Sequence, residues 1–200
     1  MLGSRSGQLL NWTDLTAPRG LSVLTINEWL SILETAGQVL IIHPYFENFG
    51  KRLIKSPKIY FADSGLACYL LGLRSVAALR QSSLAGALFE GFVASEIVKQ
   101  QINAGRARSL YYFRDQRGLE IDFVVPVSAD HVTLIEAKSS QTVYPYSASR
   151  MPSLVESMGR FMVRCLVVHD GVNKSGPVAL TKGVRSTDLA GLLKMLSLPT

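Results

Sequence analysis

The segment LYYFRDQRGLEIDFVVPVSADHVTLIEAKSS, residues 110–140, gives the clearest indication of the architecture of this chain. It predicts three successive strands separated by two turns, because short apolar runs end in turn-forming residues. In LEIDFVVPV the alternation places Asp122 on the face away from the apolar side chains. In VTLIEAK the same alternation places Glu136 and Lys138 together on one face. The most chemically suggestive residues of the chain therefore lie on two neighbouring strands.

The turn between the last two strands sets which residues face each other. If residues 128–130 form a three-residue hairpin loop, Val127 pairs with His131 and Asp122 falls opposite Glu136. Two carboxylates in that position repel each other unless a divalent cation or the ammonium of Lys138 neutralises them.

Carboxylates and a lysine in this arrangement have two interpretations. They are the residue types that hold Mg²⁺ or Mn²⁺ and stabilise a charged phosphate in a transition state. They are also typical of the solvated open face of a hairpin, and a D…ExK pattern matches many sequences by chance. On spacing alone, the solvated surface is the more common explanation.

Composition and charge narrow the class of protein. The chain has 200 residues, 48% of them hydrophobic, which is enough to bury a substantial core. Its apolar runs are far shorter than the ~20 residues that span a bilayer, so we expect no membrane association and a cytoplasmic location. The net charge of +6 supports a polyanionic partner only weakly. Cys68 and Cys165 are expected to be buried thiols, and the three histidines are interpreted as structural.

Residues 1–62 are predicted to form a partial winged helix-turn-helix module. Ser22 precedes a helical pattern whose apolar stripe consists of Ile26, Trp29, Leu30 and Leu33, and a strand pattern follows. The polar side of this helix carries acids and no Lys or Arg. Because acidic groups repel phosphates, we expect packing or protein contact from this helix in preference to base readout.

A basic segment, KRLIKSPK, lies near the end of this module. Lys51, Arg52, Lys55 and Lys58 fall within it, without an acid among them. These four residues are the candidates for contact with nucleic-acid phosphates. A solvated basic turn is at least as good an explanation.

Residues 63–200 are predicted to form a second, α/β (α+β) domain. Its order of a long helix over residues 84–105, three strands, a helix and a further strand predicts a mixed sheet flanked by helices. Glu90 lies at the apolar border of the long helix, where a carboxylate needs a partner. That partner is either a metal ion or a structural group such as Lys138, Arg114 or a backbone amide.

Several longer phrases carry a resemblance to a known family. They are SGQLLN, TINEWLSILETAG, PYFENFGKRLIKSPKIYFADSGLACYLLG, GALFEGFVASEI, YYFRDQRGLEIDFVV and EAKSS. With these, the chain resembles the C-terminal part of a bacterial and archaeal family of AAA-like ATPases, which join a nucleotide-binding domain to a winged helix and an uncharacterised terminal domain. No GxxxxGK[ST] motif occurs in the chain, so ATP hydrolysis is not implied.

The terminal domain of that family is similar to the PD-(D/E)xK nuclease superfamily, which has a restriction-endonuclease-like mixed sheet. The resemblance implies catalytic roles for Glu90, Asp122, Glu136 and Lys138. The three acids would hold Mg²⁺ or Mn²⁺, and Lys138 would orient or activate the attacking water. The implied function is Mg²⁺-dependent hydrolysis of DNA. The alternative is a non-catalytic module that binds DNA, a partner ATPase or a second copy of the chain.

Overall fold

A computed structural model describes residues 5–11, 15–16, 20–45, 53–173 and 176–197. Their backbone divides into two compact units, each discontinuous along the chain. The first unit comprises the described parts of Met1–His43 and Lys55–Ser95, and the second those of Pro44–Ile54 and Glu96–Thr200. The domain break expected after residue 62 stays a prediction.

The first unit contains a small antiparallel sheet of three strands in the order β1-β3-β2. Its strands are β1 (Gln8–Leu9), β2 (Val39–Ile42) and β3 (Lys58–Phe61), and its helices are α1 (Val23–Thr35), α2 (Ser64–Leu70), α3 (Val76–Gln81) and the first part of α4 (Ala85–Asn103). Helix α1 begins at the predicted cap, where the Oγ of Ser22 accepts a hydrogen bond from the backbone N–H of Thr25 at 3.1 Å. Gly37, with φ of 67°, follows its end and allows the left-handed turn into β2.

The apolar stripe of α1 is narrower than the sequence pattern predicts. Ile26 and Leu30 are buried and pack with Val39 and Ile59 of the small sheet. Trp29, predicted to face the core, is 49% exposed. It lies on the edge of the stripe, where a large side chain keeps one side in solvent. The interpretation of this unit as a winged helix stays a prediction.

The second unit is built on a six-stranded mixed sheet with the strand order β4-β5-β6-β7-β9-β8. Its strands are β4 (Tyr111–Arg114), β5 (Glu120–Pro126), β6 (His131–Lys138), β7 (Met162–His169), β8 (Val178–Thr181) and β9 (Val184–Thr187). Its remaining helices are a 3₁₀ helix (Pro145–Ala148), α5 (Met151–Ser157) and α6 (Leu189–Ser197).

The centre of this sheet is parallel and its two edges are antiparallel. Strands β6, β7 and β9 run parallel, while β4–β5, β5–β6 and β8–β9 are antiparallel pairs. A parallel pair needs a crossover, and the segment containing α5 supplies the one from β6 to β7. Met151 and Leu154 of α5 are fully buried against Leu134 and Val167 of the sheet. The mixed α/β architecture predicted from the sequence is confirmed.

Candidate functional site

The β5–β6 hairpin has the predicted register. Val127 donates its backbone N–H to the carbonyl of His131 at 2.8 Å, and Phe123 pairs with Ile135. The same register brings Asp122 next to Glu136. The carboxylate of Asp122 reaches across to β6, where its Oδ2 accepts the backbone N–H of Ala137 at 2.9 Å. The local turn and the strand alternation were therefore sufficient to place the two acids together.

Glu136 and Lys138 share one face of β6, as their spacing predicts. Their side chains form an ion pair, with 3.0 Å between Lys138 Nζ and Glu136 Oε2. The Glu136 side chain is only 4% exposed, whereas that of Lys138 is 37% exposed. The Glu136 side chain is therefore deeply buried, whereas the Lys138 side chain is partly exposed.

The other oxygen of Glu136 is unusual. Oε1 is buried, and no group in the described part of the chain forms a hydrogen bond with it. A buried carboxylate oxygen without a donor is costly, and it is satisfied by a proton or a cation.

The acidity of Glu136 reflects these surroundings. Burial is the largest cause and the adjacent charge of Asp122 the second, and together they outweigh Lys138 and raise the pKa of Glu136 to about 8. The pKa of Lys138 is also raised, but here the neighbouring charges outweigh the effect of burial. Its burial opposes the charged form, but the carboxylates of Glu136 and Asp122 outweigh this and raise the pKa of Lys138. The positive charge of Arg150 acts on Lys138 in the opposite direction.

Glu90 has partners that the sequence did not suggest. Its Oε1 accepts a hydrogen bond from Lys58 Nζ at 2.9 Å and a short one from the hydroxyl of Tyr60. Both partners belong to β3, and both are almost fully buried. The structure thus gives Glu90 an ion pair inside the first unit, and its role as a metal ligand stays a prediction.

The basic segment divides into residues of different character. Lys51 and Arg52 lie outside the described residues, and Lys55 is exposed. Lys58 is only 2% exposed, with its ammonium bound to Glu90. Lys58 therefore serves the interior of the first unit, and only Lys55 among the described members of this segment presents its charge to solvent.

His169 is a neighbour of the site that the sequence pattern missed. It ends β7 and is the register partner of Lys138 on β6, which places both residues on the same face of the sheet. The ring is buried, and its Nδ1 accepts the backbone N–H of Gly171 at 3.0 Å. Sequence alone offered no signal for this placement, because the parallel register of β6 and β7 is set by packing.

The described residues contain no group of three or more His, Cys, Asp or Glu side chains arranged to hold a metal ion. Asp122 and Glu136 are the two acids that the register of the β5–β6 hairpin brings together.

None of the helices in the described ranges has the length and apolar character needed to cross a membrane.

Comparison with known proteins finds relatives whose own names leave the function open. The uncharacterised proteins Mb2031c of Mycobacterium bovis and Rv2008c of Mycobacterium tuberculosis are each 35% identical to this chain over 128 residues. The match covers 64% of this chain and 28% of each relative, so the chain corresponds to well under half of their length.

Residues 1–77 match the model of a domain of unknown function, DUF8612. Residues 85–179, which include Glu90, Asp122, Glu136 and Lys138, match the model of another, DUF4143. The chain thus joins a segment similar to DUF8612 to a segment similar to DUF4143.

Proposed function

We propose that Asp122, Glu136 and Lys138 form a divalent-cation-dependent site that hydrolyses phosphodiester bonds in DNA. The observation that carries the proposal is the buried Glu136 carboxyl, which lies beside a second carboxyl and has one oxygen without a hydrogen-bond donor among the described residues. Such a group is stable when it is protonated or when a cation lies against it.

The donor set fits Mg²⁺ or Mn²⁺. Both ions prefer carboxylate oxygens, and Mg²⁺ in particular is commonly held by one or two carboxylates while water and substrate phosphates complete its coordination. Asp122 and Glu136 supply such a pair. Glu90, which the resemblance adds to the set, is left out of the proposed pair because its carboxylate already accepts from Lys58 and Tyr60.

Each residue of the site has a distinct task in this proposal. The backbone N–H of Ala137 fixes one oxygen of Asp122, so that this carboxylate is held in place before any ligand arrives. Glu136 offers Oε1. A bound divalent ion would supply Lewis-acid polarisation of the phosphate and a more acidic water.

Lys138 links the carboxylates to the substrate. Its side chain is held by Glu136 at one side and is more than a third exposed, so Lys138 can approach a phosphate oxygen from solvent. Because the pKa of Lys138 is raised, its ammonium stays protonated at neutral pH and acts as a fixed positive charge. In this role it orients the attacking water and stabilises the charge that develops on the phosphate.

A cleavage assay tests the proposal. Single-stranded and duplex DNA are incubated with the protein and Mg²⁺ or Mn²⁺, and wild type is compared with Asp122→Asn, Glu136→Gln and Lys138→Ala. We expect cleavage by wild type, abolished by chelation and reduced by about 100-fold or more in each variant. The control is Asp130→Asn, which changes an exposed carboxylate in the loop of the same hairpin. Absence of cleavage, or equal cleavage by all variants, would remove the proposal.

A second candidate function is protein contact by helix α1. The solvent side of this helix exposes Leu24 at 71% and Ile32 at 65%, together with the carboxylate of Glu28. Exposed apolar side chains near an acid suit a protein partner better than a phosphate backbone. If α1 joins two copies of the chain, the average molecular mass measured by sedimentation equilibrium will rise with protein concentration. Ile32→Asp will reduce this rise, whereas Lys55→Ala will leave it unchanged.

A further inference from the structure

Two exposed tyrosines lie side by side in the segment that follows β6. Tyr144 is 54% exposed and Tyr146 is 73% exposed. Their ring centroids are 5.6 Å apart, and the ring planes differ by only 10°. The pair therefore presents near-parallel aromatic surface to solvent, on which another planar group can stack.

The tyrosine pair is held in place by its flanking residues. Val143 packs against the core of the second unit on one side, and Ala148 is buried in that core on the other. Between the tyrosines, Pro145 begins the 3₁₀ helix, and the carbonyl of Tyr144 accepts the backbone N–H of Ser147 at 2.9 Å. Because the backbone is anchored on both sides, less of its conformational entropy is lost when a ligand stacks on the rings.

The surroundings of the pair suit a negatively charged, planar ligand. The 3₁₀ helix packs against β6, the strand that carries Glu136 and Lys138. Arg150, at the start of α5, is exposed, and its charge acts on Lys138. Aromatic faces for bases, combined with cationic groups for phosphates, are the features by which proteins hold single-stranded nucleic acids.

We propose that Tyr144 and Tyr146 form a base-stacking platform for single-stranded nucleic acid beside the Asp122–Glu136 carboxylate pair. This inference rests on the proposed function and names its substrate class: a single strand, or an unpaired end. Inside a duplex both faces of each base are covered by its neighbours, so the bases free to stack on the two rings are mainly those of single strands.

Equilibrium binding of a fluorescein-labelled oligothymidylate of about 15 nucleotides tests the platform. The measurement is made by fluorescence anisotropy in EDTA, so that no cleavage occurs. We expect Tyr144→Ala/Tyr146→Ala to weaken binding by about ten-fold or more, and Tyr144→Phe/Tyr146→Phe to bind within about three-fold of wild type. Oligouridylate is expected to bind comparably, and a blunt duplex at least about ten-fold more weakly.

A matched control is available in the first unit. Tyr69 is 59% exposed and lies beneath Arg74, so Tyr69→Ala removes an exposed ring of similar size elsewhere on the chain. Binding by this variant is expected to equal that of wild type. Because Tyr144 and Tyr146 are exposed, their substitution should leave the melting temperature unchanged, and this is checked by circular dichroism.

Three results would overturn the platform. These are unchanged binding by the double alanine variant, equal losses in the phenylalanine and alanine variants, and preferential binding of the blunt duplex. Its failure is distinguishable from that of hydrolysis, since binding in EDTA needs no cation. Tyrosine-dependent binding without cleavage refutes only the hydrolysis, whereas cation-dependent cleavage with tyrosine-independent binding refutes only the platform.

Discussion

The carboxylate of Asp122 accepts a hydrogen bond at 2.9 Å from the backbone N–H of Ala137, the residue between Glu136 and Lys138. Through this hydrogen bond, a side chain of β5 is attached to the end of β6 that carries Glu136 and Lys138. It also brings the negative charge of Asp122 close enough to raise the pKa of Glu136. The properties of the site therefore follow from the register of one hairpin.

A rise in pH through the neutral range is expected to destabilise the folded chain, because Glu136 loses its proton. The folded state raises the pKa of this carboxyl from 4.5 to about 8, so between these values it holds a proton that the unfolded chain releases. The free energy of unfolding therefore falls as the pH rises across this window, and the loss is complete above it. Glu136→Gln, which cannot titrate, should flatten this decline.

The measurement is urea unfolding in EDTA at about pH 5.5 and about pH 8.5, on either side of neutrality. Wild type should lose more stability between the two conditions than the variant does. Parallel losses would show that Glu136 does not carry the pH dependence.

Divalent cations are expected to stabilise wild type, and more strongly at high pH than at low pH. The cation and the proton compete for the same carboxyl, whose pKa is about 8, so binding is favoured once the proton has left. At ten times its dissociation constant, a bound cation adds about 1.4 kcal/mol, which raises the melting temperature of a chain of this size by about 3–6 °C.

Thermal melts with Mg²⁺, Mn²⁺ or EDTA measure this effect. The shift should vanish in Asp122→Asn and Glu136→Gln and persist in Asp130→Asn, whose carboxylate is 65% exposed. An equal shift in all four proteins would show that the ions bind elsewhere.

Loss of the Lys58 ammonium is expected to be among the most destabilising changes in the first unit. Lys58→Met keeps most of the side-chain volume but leaves the carboxylate of Glu90 without its ion-pair partner, at a cost of about 3 kcal/mol in the free energy of unfolding. Lys55→Ala, which removes an exposed lysine three residues away, should change it by less than about 0.5 kcal/mol. Urea unfolding measures the free energy of unfolding of both variants. Similar losses in the two variants would refute an internal role for Lys58.

Gly171 is expected to tolerate no side chain. A Cβ atom there would lie 2.7 Å from the carbonyl oxygen of Gln141 and 2.7 Å from Nδ1 of His169. Gly171→Ala should therefore displace the loops that follow β6 and β7, with a loss of about 1–3 kcal/mol. Gly159→Ala meets nothing within 4 Å and serves as the control in thermal melts. Equal melting temperatures for Gly171→Ala and Gly159→Ala would show that the structure accommodates a Cβ atom at residue 171.

The parts of the fold that depend on neighbouring residues could be predicted from sequence. The hairpin loop at residues 128–130 and the alternation on either side of it fixed the pairing that brings Asp122 to Glu136. The cap at Ser22 marked the start of α1. Each of these rests on residues within one turn or one strand pair, where local physical rules decide the outcome.

The parts that depend on distant residues could not be predicted. Lys58 pairs with Glu90, 32 residues along the chain, and no periodicity links β3 to α4. The alignment of His169 with Lys138 depends on the parallel crossover. The exposure of Tyr144 and Tyr146 depends on how the 3₁₀ helix packs, since tyrosines in an apolar context suit burial and exposure alike.

The position of the carboxylates on a hairpin has a consequence for the order of folding. Asp122 and Glu136 lie on strands joined by a short loop, so their contact closes quickly, whereas the parallel β6–β7 pair needs the intervening segment to be ordered first. Before β7 and α5 cover the hairpin, Glu136 remains hydrated and ionises like any surface glutamate. We therefore expect the raised pKa of Glu136 to require the assembled sheet, so that refolding at neutral pH is accompanied by proton uptake.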